Sequence, residues 1–278
     1  MFSYQHFIWL FLSVAAVALL IFFYEKKRPP LKKVLTSALI LSVVAEVFKV
    51  IVIMQLVPST SGETMTPYLE LGRMPLHLCY LQMFLIAYAR FSKQQTLREY
   101  VLAFIYPTSI VGAFSALLLP NVFQQDISPA QAFTSPLPYW FFPYHAMLVA
   151  LGIIIARSGE IAWKKKHFTA TLILLAGMGF LTLYLNSLFS SPTYADGKLI
   201  SVDYSTNFFY TYANPLGIPF TAIWQWRLYM LGYTVLATGL LYLFFLPLIA
   251  ARERAEKKAA LLKNASGEAD AKPESDRP

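Results

Sequence analysis

Arg73-Met74-Pro75-Leu76-His77-Leu78-Cys79-Tyr80-Leu81-Gln82 sets a histidine and the chain's only cysteine at the head of an apolar segment of membrane-spanning character. Hydrocarbon tolerates few polar groups, and those found at membrane depth usually face a bundle interior and carry function. The surrounding composition supports that reading. Of 278 residues, 57% are hydrophobic, against ~45–50% in soluble domains, and mean hydropathy is +0.51. The length suits one integral-membrane bundle and leaves no room for a separate soluble domain.

Seven stretches, roughly 7–24, 34–57, 74–90, 99–119, 139–156, 168–189 and 227–249, are each close to the ~20 residues that cross ~30 Å of hydrocarbon. The first is read as a retained span, because no Lys or Arg precedes its apolar run as in a signal peptide. Basic residues are distributed unevenly. Nineteen of the 23 Lys and Arg lie in 25–33, 90–98, 157–167 and from 250 onward. Only Arg73, Lys198 and Arg227 fall on the other side, and Lys49 lies within a span. By the positive-inside rule this predicts seven crossings with the N-terminus outside and the C-terminus inside. The +8 net charge therefore answers to membrane topology and does not point to nucleic acid. The expected architecture is an all-α polytopic membrane bundle over residues 1–250. A basic cytosolic helix extension (251–264) and a tail disordered by composition (265–278) follow it. The expected location is the cytoplasmic membrane, with phospholipids as the partners at hand.

Connections on the outer side are long. Residues 190–226 hold the run Asn207-Phe208-Phe209-Tyr210-Thr211-Tyr212-Ala213-Asn214, whose aromatics and amides predict a segment folded back onto the bundle or into the interface.

Several polar residues fall inside the spans. Glu46 and Lys49, three apart, share a helix face and can pair, either to fix helix packing or to contact a substrate headgroup or proton. Their face is expected inward, since a lone charge facing lipid costs several kcal/mol. Cys79 shares a face with Gln82 but not with His77, so a partner for the thiol is expected from another helix, and His145 is the candidate. Counting from the span ends puts Cys79 at a depth of roughly 7 Å, His145 at roughly 9 Å and Lys49 at roughly 12 Å. Asn186 ends the sixth span on the same side. One polar cavity in the outer half accounts for this placement. A cysteine near a helix N-terminus beside an imidazole is a workable nucleophile, although a lone membrane cysteine is also a common packing residue. No HxxxH or CxxC spacing supports a metal, and no phosphate loop, nucleophile-elbow serine, haem or quinone signature supports a cofactor.

The run Met74-Pro75-Leu76-His77-Leu78-Cys79 resembles the Pro-Leu-His-Leu-Cys signature of YwaF-like bacterial integral membrane proteins, which belong with eukaryotic transmembrane protein 164. Further echoes are Leu118-Leu119-Pro120-Asn121, the lone His145 of the fifth span and Thr206-Asn207-Phe208-Phe209. The resemblance spreads over most of residues 34–240. It departs at Tyr80, where the bacterial pattern often has an acidic residue, and at Asn214-Pro215. The resemblance implies phospholipid acyl transfer, with Cys79 taking the acyl group as a thioester. His145 or His77 would then serve as general base, and Asn207 or Gln82 would hold the oxyanion. The expected function is a cysteine-dependent lipid acyltransferase or acyl hydrolase, with Glu46, Lys49, Gln82, Asn186 and Asn207 as substrate contacts. The rival is a non-enzymatic transporter or sensor built on Glu46, Lys49 and the histidines.

Overall fold

The computed structural model describes residues 2–59, 62, 64–120, 122–123 and 127–270, with side chains to residue 262. Asn121 and tail residues 271–278 lie outside the described residues. Among the described residues seven α-helices carry the chain back and forth: α1 (Tyr4–Lys27), α2 (Leu31–Ile53), α3 (Leu78–Phe91), α4 (Gln95–Leu118), α5 (Leu137–Arg157), α6 (Lys165–Leu188) and α7 (Ile223–Asp270). Six of them are long and apolar enough to cross a membrane, and α3 is a shorter apolar helix. The fold is thus the all-α polytopic bundle that the hydropathy pattern predicts.

Local chemistry sets the helix ends. Ser3 caps α1 by accepting from the His6 amide, and the chain leaves α1 through Arg28 in a left-handed conformation (φ 43°). Pro29-Pro30 then stops the first helix and starts the second, because proline lacks an N–H and disfavours α geometry in the residue before it. The same rule displaces α3. The third span was expected from residue 74, yet the helix begins at Leu78. Met74 (ψ 148°) and His77 (ψ 150°) are extended, and a short 3₁₀ turn (Leu71–Arg73) precedes them. At 14 residues α3 is ~21 Å long, too short to cross alone, and non-helical backbone makes up the rest. Irregular backbone at that depth survives only when protein satisfies its polar groups.

α4 and α5 form the centre, each more than half buried, whereas α1, α2, α6 and α7 expose most of their surface. From Val101 to Ser109 every residue of α4 is buried. The two helices approach so closely at Gly152 that an added Cβ would lie 2.6 Å from Ser109 Oγ, Ile110 Cγ1 and the Tyr106 carbonyl oxygen. Polar side chains pin the outer helices to this pair. His6 Nε2 meets the Leu117 carbonyl at 2.8 Å, Trp9 Nε1 donates to the Ala132 carbonyl, and the Tyr106 hydroxyl donates to the Phe244 carbonyl of α7. At the opposite end Arg98 pairs with Glu160 at 2.6 Å and donates from Nε to the Ala89 carbonyl.

Two antiparallel hairpins, β1–β2 (Gln55–Pro58, Met65–Tyr68) and β3–β4 (Ser190–Ala195, Lys198–Tyr204), sit at the end of the bundle that carries the N-terminus. They were not expected from the sequence, where these stretches read as loops.

Gly152→Ala should destabilise the purified protein by about 1–3 kcal/mol, because neither backbone nor Ser109 can yield. Gly177→Ala, with nothing within 4 Å of the new methyl group, should leave the thermal midpoint in detergent unchanged or slightly higher.

Candidate functional site

The break before α3 and the end of α2 create a polar cluster at the hairpin end. Lys49 is 2% exposed, four residues before α2 ends. Its Nζ lies 2.7 Å from Glu46 Oε1, donates to the Arg73 carbonyl at 3.0 Å and sits 3.8 Å from the centre of the Tyr80 ring. The expected Glu46–Lys49 pair therefore exists and faces inward. Its ammonium is met by a carboxylate, by a carbonyl of the non-helical segment, and by a π face. Glu46 Oε2 is buried without a hydrogen-bond partner among the described residues.

Tyr80 stacks on Tyr144 at 5.9 Å with 13° between the rings, linking α3 to α5. The Tyr144 hydroxyl donates to the Cys79 carbonyl at 2.7 Å. Cys79 is the second residue of α3, closer to the helix start than the span count implied, and its thiol is free. Its Sγ faces α4 at Gly112, where an added Cβ would stand 3.5 Å away.

His145 is buried, and its Nδ1 lies 2.7 Å from the Phe141 carbonyl of its own helix. Against a carbonyl that nitrogen carries the proton, which leaves Nε2 unprotonated in the neutral ring. His145 lies two turns before Gly152, on the stripe of α5 that packs on α4. Thiol and imidazole thus both face α4, but no hydrogen bond joins them among the described residues. The side chain that reaches Cys79 from α5 is Tyr144. His77 stands just before α3, its ring hydrogen-bonded to the Gly72 backbone and edge-on to Phe208 at 5.2 Å.

The remaining amides hold the protein together. Gln82, fully buried, donates to Thr108 Oγ1 at 3.0 Å and ties α3 to α4. Asn186 donates to the Phe208 carbonyl and Thr211 Oγ1, and its Oδ1 accepts from Thr206 Oγ1 and the Phe208 amide. Asn207 accepts from the Tyr212 and Ala213 amides and donates to the Ala213 carbonyl. With their hydrogen-bonding groups engaged by the protein, Asn186 and Asn207 shape the loop. The segment folds onto the bundle as its aromatics implied. Phe208 is fully buried, Trp226 Nε1 donates to the Thr211 carbonyl, and the Tyr229 hydroxyl donates to the Tyr210 carbonyl. Phe209 and Tyr210 adopt positive φ (56° and 53°), a strained conformation for aromatic residues that surrounding contacts must hold.

Beside the cluster a groove of about 390 Å³ runs between α2 and α5. Two facing stripes line it, Leu41, Val44, Ala45 and Phe48 on α2 and Trp140, Pro143, Tyr144 and Met147 on α5. Tyr144 belongs to both the groove and the Cys79 contact.

Sequence reasoning missed Tyr80 and Tyr144 as cluster members. The spacing of 140, 143, 144 and 147 marks one helical face and was a usable signal, but its rotation toward α2 depends on packing.

Replacing one member of the buried pair, as in Lys49→Met or Glu46→Gln, should cost roughly 3–5 kcal/mol by stranding its partner. The double variant should recover most of that loss in thermal unfolding. Independent additive losses would argue against the pair.

The family model described as the TMEM164 family matches residues 1–245. No curated protein and no solved structure matches the chain. The matched region takes in the first six helices, the membrane part of α7 and every residue of the polar cluster. The chain therefore belongs to the TMEM164 family of multi-pass membrane proteins.

Proposed function

We propose that the protein transfers or hydrolyses acyl groups of membrane phospholipids through Cys79, in the cytoplasmic membrane and with the hairpin end facing outward. The observation that carries this reading is the position of Cys79. It opens a helix inside the bundle, one hydrogen bond away from a tyrosine that lines an apolar groove. A helix start leaves its first N–H groups without intrahelical partners, available to an oxyanion. The activity implied by the Pro-Leu-His-Leu-Cys resemblance fits the same residue.

In the first step the Cys79 sulfur attacks the ester carbonyl carbon, forming the C–S bond as the C–O bond breaks. His145 Nε2 takes the thiol proton and returns it to the leaving oxygen of the lysolipid. This needs the imidazole and thiol to close on each other when substrate binds, as apo catalytic contacts commonly do. In the second step an acceptor hydroxyl, or water, gives its proton to His145 Nε2 and attacks the thioester carbon; the C–O bond forms as the C–S bond breaks, and the proton passes to the sulfur. Tyr144 positions the cysteine through its carbonyl. Glu46 and Lys49 serve as the clamp on the break before α3, because every contact of the ammonium lies within the protein. The transporter or sensor alternative would need that pair to exchange partners.

Intact-mass measurement after incubation with phospholipid vesicles tests the reading. Wild type should gain one hydroxylamine-sensitive acyl mass, Cys79→Ser should gain none that hydroxylamine releases, and His145→Ala should acylate at least about a hundredfold more slowly. An unmodified wild type that also releases no lysolipid would overturn it.

A further inference from the structure

The groove between α2 and α5 has features that lipid exposure alone does not require. Its stripes, 41–44–45–48 and 140–143–144–147, follow one face of each helix, so the groove is straight and runs along the bundle for about 10 Å. It opens sideways, where Leu41, Val44 and Phe48 are exposed in the middle of a membrane span. In a membrane that opening meets acyl chains and not water. Its volume of about 390 Å³ lies within the roughly 300–1,000 Å³ of small-molecule sites.

Its hairpin end is polar. Glu46 follows groove residue Ala45, Tyr144 leads to Cys79, and Trp140 lines the wall there. Trp140 Nε1 and Glu46 Oε2 are both buried without a hydrogen-bond partner among the described residues. Buried indole N–H groups normally find an acceptor. An ester carbonyl placed against the Trp140 wall of the groove would give this donor an acceptor. An apolar trough with an unmet N–H donor in its wall at the hairpin end matches an amphiphile that enters tail first.

We propose that this groove holds one acyl chain of a membrane glycerophospholipid, its ester against Trp140 and Tyr144 and its methyl end toward Leu41 and Met147. The assignment rests on the acyl-transfer reading for the direction of the chain. It makes the groove the element that selects chain length.

The test uses the full chain in phosphatidylcholine nanodiscs doped with a palmitoyl phosphatidylcholine that carries a diazirine midway along its chain, the depth at which the ~10 Å groove ends. Illumination should label peptides of α2 and α5 at Leu41 and Met147. Ala45→Phe, which fills the trough, should cut that labelling about tenfold and shift acylation from palmitoyl toward octanoyl donors. Met147→Ala, a truncation that does not rely on fitting extra bulk, should retain labelling and shift preference toward longer chains. Cys79→Ser should be labelled like wild type. Labelling spread evenly over the lipid-facing helices, or unchanged chain preference in both groove variants, overturns the groove assignment even if the thioester forms. Groove labelling in a protein that never forms a thioester would instead uphold the site and overturn the acyl-transfer chemistry.

Discussion

A single ammonium at the end of α2 resolves two unfavourable features at once. A charge within a span and an unpaired carbonyl at similar depth would each be expensive in hydrocarbon. Lys49 brings them together: Glu46 neutralises it, and the Arg73 carbonyl accepts a hydrogen bond from it. The broken entrance to the third crossing is tolerable because of that contact. Cys79 depends on it in turn, since a helix continuous from Met74 would move the helix start away from the thiol.

The close seam between α4 and α5 supplies the other fixed reference. With only a hydrogen at position 152, those helices cannot slide or rotate far without collision. Their register determines which face of α5 meets α4 and which meets α2. His145 and Tyr144, adjacent in sequence, therefore point into different neighbourhoods. One turns its imidazole to the α4 side, and the other carries its hydroxyl across to α3 and forms a wall of the groove.

The parts legible in the sequence follow from rules with a strong local signature. Span count comes from hydropathy, the Glu46–Lys49 pair from helical spacing, and the folded-back aromatic segment from residues that avoid both water and lipid interior. The parts that were not legible depend on packing or on backbone context. Pro75 could equally start a helix or delay one, and the extended residues around it decided for delay. The β3–β4 hairpin is the exception, since Asp196-Gly197 is a two-residue turn pair and residues 200–204 alternate apolar and polar side chains. Asn186 and Asn207 read as ligand contacts because amides near a site do either job. Their geometry places them in the scaffold of the loop that covers His77.

The sideways opening of the α2–α5 groove has a kinetic meaning. Whatever occupies it arrives by diffusion in the plane of the membrane, so occupancy follows mole fraction among neighbouring lipids and not concentration in the surrounding water. Adding more total lipid at fixed composition would leave the groove equally filled, whereas diluting one species among others would empty it. A groove built this way samples the composition of the leaflet around it, so its contents are a property of the membrane as much as of the polypeptide.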